Sequence, residues 1–160
     1  MSCAICNGHD GEIIWKDNTL RVVLLDHPDY KGYCRVELIA HQKEMTDLDE
    51  ALQFNIMRCV FKVETVLRKI FNPEKINLAS LGNKTPHIHW HIIPRFKEDA
   101  HFPNSHWGEK LREGSHQTIS SQEKKELITL LHQSRADYIT SSVFRLISAL
   151  QLFLAECDFR

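Results

Sequence analysis

The strictest constraint on the fold lies between Gly82 and Phe96. His87, His89 and His91 occupy every second position there. Ile88, Trp90 and Ile92 fill the gaps, and Ile93 extends the apolar run. Alternation of this kind, with β-branched and aromatic residues between polar ones, predicts a strand. Side chains two apart on a strand share a face, roughly 6–7 Å apart along the chain. One face then carries three imidazoles while the other turns an apolar set to a core. Pro94 has no N–H to give to a ladder, so the strand is expected to end there or to sit at an edge.

Three imidazoles on one face, led by Gly82-Asn83-Lys84-Thr85, set this strand apart from one with incidental half-exposed histidines. Imidazole is a common metal ligand. On a flat strand, however, positions i, i+2 and i+4 reach one ion only if the outer two converge, and no Asp or Glu lies within the motif to complete a site. Acid–base or nucleophilic chemistry therefore ranks above metal binding, and no metal ligand is assigned within the triad. A neutral imidazole is a nucleophile toward phosphorus when a partner on its other nitrogen fixes the tautomer. A neighbouring ring can then handle a proton. Gly82, Asn83, Lys84 and Thr85 offer donors for phosphoryl oxygens. Phosphoryl or nucleotidyl transfer fits this set, because its catalysis is mostly positioning and charge stabilisation.

The rest of the chain is expected to fold with the strand as one domain, residues 1–160, with a core over about 12–96 and a loop and C-terminal helices over 97–160. A length of 160 residues suffices for a real core, and 42% apolar with 26% charged residues argues against disorder. A net charge of -1 gives no global field for a nucleic-acid polymer. No apolar run approaches the ~20 residues that cross a bilayer, so no membrane partner is expected. Five cysteines, an odd number at wide spacing, do not form a disulfide framework, and no secretory signal opens the chain. A reducing cytoplasm is the expected compartment.

Taken in order, Cys3 and Cys6 form a CxxC that reads equally as two free thiols or as half of a zinc site needing two more ligands. Glu12–Lys16, Leu20–Asp26, Tyr33–Ala40 and Lys75–Leu81 read as strands. Asp17-Asn18 turns between the first two, and His27–Gly32 forms a loop. On the third, Cys34, Val36 and Leu38 share an apolar face. Thr46-x-x-Asp49 reads as a helix start, followed by Leu48, Leu52, Ile56, Val60, Val63, Leu67 and Ile70 at helical spacing up to Asn72-Pro73. This long helix is expected to pack on the sheet, with Phe54, Met57 and Phe61 widening its apolar surface toward the core or another subunit. Glu98–Gly114 reads as a long ordered loop. Ser120-x-x-Glu123 should cap a helix to about Gln133, and 137–157 carries the pattern of a final apolar helix. The fold class is α+β, with consecutive strands joined as antiparallel neighbours.

His-Ile-His-Trp-His-Ile-Ile resembles the His-φ-His-φ-His-φ-φ signature of the histidine-triad (HIT) superfamily of nucleotide hydrolases and transferases. The order of elements from Ile13 to Phe96 is similar too. Asn77-Leu-Ala-Ser-Leu-Gly-Asn83, the Pro103…Trp107-Gly108 tail and Pro94-Arg95 resemble a bacterial branch of diadenosine-tetraphosphate-hydrolase-like proteins. The resemblance implies an antiparallel five-stranded sheet with helices, usually paired as a homodimer. It implies that His89 attacks the α-phosphorus and forms a nucleotidyl-histidine that water hydrolyses. His91 would contact the phosphate or the departing group, and His87 would support the network. Asp26 would bind ribose hydroxyls, Asn77 phosphate, and Asn83, beside Gly82, the scissile bridge. Where many members have Ser or Thr ahead of the first histidine, this chain has Lys84 and Thr85, and Thr85 is assigned that place. Some members hold zinc with a CxxC and a histidine after the third strand. The aligned position here is Glu44, with His41 displaced by three residues, so no required cofactor is expected and a zinc at Cys3/Cys6 is left as the alternative.

The function expected is hydrolysis of a dinucleoside polyphosphate or related nucleotide conjugate. The alternatives are a nucleoside phosphoramidase, a nucleotidyl transferase or phosphorylase, and a nucleotide-binding protein with weak catalysis.

Overall fold

The computed structural model describes residues 3–8, 10–114 and 118–133. The expected helix over 137–157 lies outside them. Five strands form one antiparallel sheet: β1 (Glu12–Lys16), β2 (Leu20–Leu24), β3 (Cys34–Leu38), β4 (Lys75–Ala79) and β5 (His89–Arg95), in the order β1-β2-β3-β5-β4. The five-stranded α+β expectation holds. A short helix α1 (Ala4–Asn7) precedes β1, and a long helix α2 (Glu50–Phe71) joins β3 to β4. A further helix, α3, covers 121–133.

Each element follows from its local chemistry. Asp17 accepts backbone N–H bonds from Thr19 and Leu20 at 2.8 Å each, which closes the β1–β2 turn. Helix α2 starts at Asp49, whose side chain accepts from the Leu52 N–H; Thr46 instead lies in a 3-10 turn, Met45–Asp47. It ends at Asn72, which adopts φ 43° just before Pro73. Ser120 and Glu123 form the reciprocal cap expected of α3, with bonds of 2.9 and 3.2 Å. Gly32 turns into β3 at φ 73°, where a Cβ would meet the Phe71 ring at 2.5 Å. That position tolerates glycine and little else.

The core lies between one face of the sheet and α2. Leu20, Val22, Val36, Leu38 and Ile92 from the strands meet Ile56, Val60, Val63 and Leu67 from the helix, and Leu127 and Leu131 of α3 join them. Val60, Val63, Leu67 and Ile92 are 0% exposed. Burying each such side chain contributes roughly 1.5–3 kcal/mol. Ile92→Asp would bring a carboxylate into this contact without a partner and should prevent folding.

Pro94 does not end the histidine strand. β5 runs on to Arg95 with Pro94 opposite Ile76 of β4. The β3–β5 ladder has already stopped at Cys34–Ile92, so at Pro94 the strand has one neighbour instead of two. At its other end β5 begins at His89, and His87 precedes it in irregular backbone.

Candidate active site

The sheet's second face is polar. Cross-strand partners share a face, so Glu37 stands beside His89 and Arg35 beside His91. Tyr33, Asn77 and Ala79 fall on the same side by alternation and register.

Hydrogen bonds give the three histidines different roles. His89 Nδ1 lies 2.6 Å from the His87 carbonyl oxygen. A carbonyl only accepts, so Nδ1 carries the proton and Nε2 keeps its lone pair. His87 shows the opposite tautomer. Its Nε2 donates to the Leu38 carbonyl at 2.7 Å, which leaves Nδ1 as the lone pair. His91 Nδ1 is paired with the Tyr33 hydroxyl at 2.6 Å.

The electrostatics favour neutral rings. Burial lowers the pKa of His89, and the Arg35 charge adds to this, against the hydrogen bond that His89 donates to the His87 carbonyl. His91 is pushed down to about 3 by burial, then by His89 and Arg35. Burial also raises the Tyr33 hydroxyl well above the ordinary phenol value, so the partner of His91 is a neutral O–H. An unprotonated imidazole with a fixed tautomer can attack an electrophile without first losing a proton.

A cavity of about 460 Å³ opens at His89, lined also by Thr85, Arg35, Asp10, Gly8, Asn7, Ile5 and Ala4. His89 and Thr85 thus line one cavity. Gly82 and Asn83 are not among its lining residues and lie exposed in the turn. Asp26 is exposed and lines a second cavity of about 370 Å³ with Leu24, His27, Tyr30 and Lys31. Asn77 faces the triad side, but its side-chain oxygen accepts from Arg95 Nη1 at 2.6 Å. Arg95 is buried, pairs with Asp99 at 2.8 Å and donates to the Asn104 carbonyl at 2.9 Å. Those bonds hold the 98–114 loop against β5, with Trp107 edge-on to His91 at 5.3 Å and His106 packed on Tyr33 at 5.4 Å.

Several participants were not singled out from sequence. Tyr33, Arg35 and Glu37 alternate with the apolar Cys34, Val36 and Leu38. A charged pair in mid-strand, opposite the histidines, was the available signal. Helix α1 was another omission, since a single helical turn is too short for periodicity.

Helix α1 brings Cys3 and Cys6 to one side, where they meet His41 and His87. Cys3 Sγ and Cys6 Sγ lie 3.4 and 3.5 Å from His87 Nδ1, Cys6 Sγ 3.4 Å from His41 Nδ1, and the two Nδ1 atoms 3.3 Å apart. All four donor atoms fall within 4.8 Å of one another. Tetrahedral zinc with sulfur at ~2.3 Å and nitrogen at ~2.05 Å needs donors about 3.3–3.8 Å apart, so these residues fit the ion. The Leu38 carbonyl on His87 Nε2 aims the other nitrogen into the cluster, as an outer-shell partner of a metal ligand does. His41, three residues from the aligned position in sequence, still reaches the cluster: the chain leaves β3 at Leu38 and bends back, so that the Gln42 carbonyl accepts from the Ile88 N–H at 2.8 Å and His41 faces His87.

Comparison with known proteins agrees with this fold. The family model described as HIT domain matches residues 8–98. An uncharacterised HIT-like protein of Methanocaldococcus jannaschii is 28% identical over 103 residues, covering 61% of this chain and 80% of that one. The crystal structure of a histidine triad protein from Bradyrhizobium japonicum superposes with a TM-score of 0.63 at 27% identity, over 78% of this chain and 90% of that one. A zinc-bound histidine triad family protein from Mycobacterium smegmatis shares the fold, with a TM-score of 0.54 at 19% identity, over 80% and 90%.

Proposed function

Because the chain belongs to the HIT domain family, we propose that it hydrolyses a dinucleoside polyphosphate or a related nucleotide conjugate at the α-phosphate, with His89 as the nucleophile. HIT proteins are typically nucleotide-binding hydrolases and transferases. The observation that carries the finer reading is the 2.6 Å bond between His89 Nδ1 and the His87 carbonyl, which leaves the lone pair on Nε2 of a ring that lines a cavity of about 460 Å³. Nε2 attacks phosphorus, a P–N bond forms, and the bond to the leaving group breaks with its electron pair on the departing atom. Water then attacks the same phosphorus, the P–N bond breaks, and a nucleoside monophosphate leaves with His89 restored. His91 meets the phosphate or the leaving group, and Thr85 donates to the leaving side. Asn77, with its oxygen on Arg95, offers its amide N–H to phosphate, while Gly82 and Asn83 of the exposed turn are assigned to the scissile bridge. Asp26 takes the ribose hydroxyls.

His89→Asn should lose turnover on every member of a panel of dinucleoside polyphosphates and phosphoramidates while still binding nucleotide. Turnover at the parent rate would exclude the mechanism. Product analysis on the same panel separates the hydrolase from the phosphoramidase, and acceleration by added phosphate would point to the phosphorylase. Nucleotide binding by the parent without turnover of any substrate would leave a binding protein.

The reading also includes a structural zinc held by Cys3, Cys6, His41 and His87, supported by the donor spacing. It would tie α1 to β3 and to the segment entering β5. The zinc-bound protein of Mycobacterium smegmatis supports it by analogy of fold alone. A homodimer in the cytoplasm completes the proposal. Phe54 and Phe61, 68% and 52% exposed on α2, support a subunit contact. The buried free thiols Cys34 and Cys59 suit a reducing compartment. No helix among the described residues is long and apolar enough to cross a membrane.

A further inference from the structure

The charged pair on β3 is not used by the mechanism above. Glu37 is 0% exposed and lies between two guanidinium groups, with Arg21 Nε and Arg35 Nε each 2.5 Å from one of its oxygens. Arg21 also donates to the Ile5 carbonyl at 2.7 Å. Two cations and one anion leave this trio with a net charge of +1. A buried excess charge of that kind needs a counter-ion. The counter-ion present is Asp10, whose Oδ1 lies 2.6 Å from Arg35 Nη2. Its side chain is 78% exposed, so the anion sits at the surface while the cation is built into the sheet.

Arg35 and Asp10 both line the cavity that contains His89 and Thr85. Arg35 stands beside His91 in register, and its charge acts on both His89 and His91. A phosphorus in line with His89 Nε2 carries its oxygens into that same cavity. A guanidinium fixed by a buried carboxylate presents its outer nitrogens without further ordering, and a planar fork suits two phosphoryl oxygens. A solvent-exposed carboxylate with one charge is the weaker competitor for the same donor against a phosphate.

We infer that Arg35 is the phosphate-binding cation of this site and that Asp10 occupies its donor until a nucleotide phosphate displaces it. The inference rests on the nucleotide reading above and adds an affinity-determining residue to it. Glu37 and Arg21 act through Arg35, as the positioning pair that holds its fork toward the cavity.

Calorimetric titration with AMP, GMP, CMP and UMP, each beside its phosphate-free nucleoside, tests this. For the monophosphate that the parent binds, Arg35→Gln should weaken affinity about ten- to a hundredfold, Arg35→Lys should restore part of it, and nucleoside affinity should change less than about twofold. Asp10→Ala, a surface change that leaves the buried trio intact, should tighten the monophosphate severalfold and leave the nucleoside unchanged. Monophosphate affinity of Arg35→Gln within twofold of the parent would overturn the role of Arg35, as would equal losses for monophosphate and nucleoside. If Arg35→Gln fails to fold, Asp10→Ala decides: unchanged or weakened monophosphate binding overturns the inference. A parent that binds none of the four monophosphates overturns the nucleotide reading itself, and this inference with it.

Discussion

At His91 the Tyr33 hydroxyl sits 2.6 Å from Nδ1. If the phenol donates, Nε2 must carry the proton and can be offered to a phosphoryl or leaving-group oxygen. Tyr33→Phe should lower turnover about five- to tenfold, the worth of one net hydrogen bond of about 1 kcal/mol, with nucleotide affinity nearly unchanged. Separate measurement of kcat and Kd checks this; equal changes in both would contradict a positioning role. The same burial has a consequence for stability. His91 is held at about 3, and His106 at about 4 by burial and then by His27, against an ordinary 6.5. Below 6.5 the unfolded chain takes up protons that the folded chain refuses. Stability is thus fully present above pH 6.5 and falls as the pH drops from there toward 3–4. Thermal melts between pH 8 and pH 4.5 should show that decline, with a shallower slope in His106→Gln. Equal slopes would remove His106 from the account.

At the scale of elements, α1 is the piece whose place depends most on side chains: Cys3 and Cys6 meet His41 and His87, Ile5 is buried, and Arg21 holds the Ile5 carbonyl. Purified protein should carry about one zinc per chain. Chelation, or Cys3→Ser with Cys6→Ser, should lower Tm by several degrees and expose the α1 amides to hydrogen exchange. An unchanged Tm with no bound metal would leave the cluster as four unmetallated side chains. The strands show how much of this was legible in advance. β1 begins and ends where alternation predicts, and the other strands differ by a few residues at their ends, where pairing partners run out. Period-2 and period-3.6 patterns reveal faces: Cys34, Val36 and Leu38 turn inward and His89 and His91 stand on the opposite face, whereas His87, expected on that same strand face, precedes β5 in irregular backbone. What alternation does not encode is the path of irregular backbone. That path brings His41 to His87, starts β5 at His89, and turns the oxygen of Asn77 onto Arg95. Linear spacing therefore misjudged the fourth metal-type donor and passed over the partners of each ring.

For the molecule as a whole, α2 carries the core on one side and Phe54 and Phe61 on the other. If that outer face is the subunit contact, Phe54→Asp with Phe61→Asp should yield monomers by light scattering, with the chain still folded; an unchanged mass would move the contact elsewhere. Within one chain, one face of the sheet supplies rigidity and the other supplies chemistry, and β5 belongs to both. Ile92 locks the strand into the core while His89 and His91 stand on its far side. The central claim is that His89 attacks phosphorus, and intact-protein mass spectrometry of a rapidly quenched reaction tests it most directly. Mixing enzyme with a dinucleoside polyphosphate should give a transient mass gain of one nucleotidyl group, labile to acid, mapping to the peptide with His89 and missing in His89→Asn. Turnover without any adduct, or an adduct that persists in His89→Asn, would contradict it.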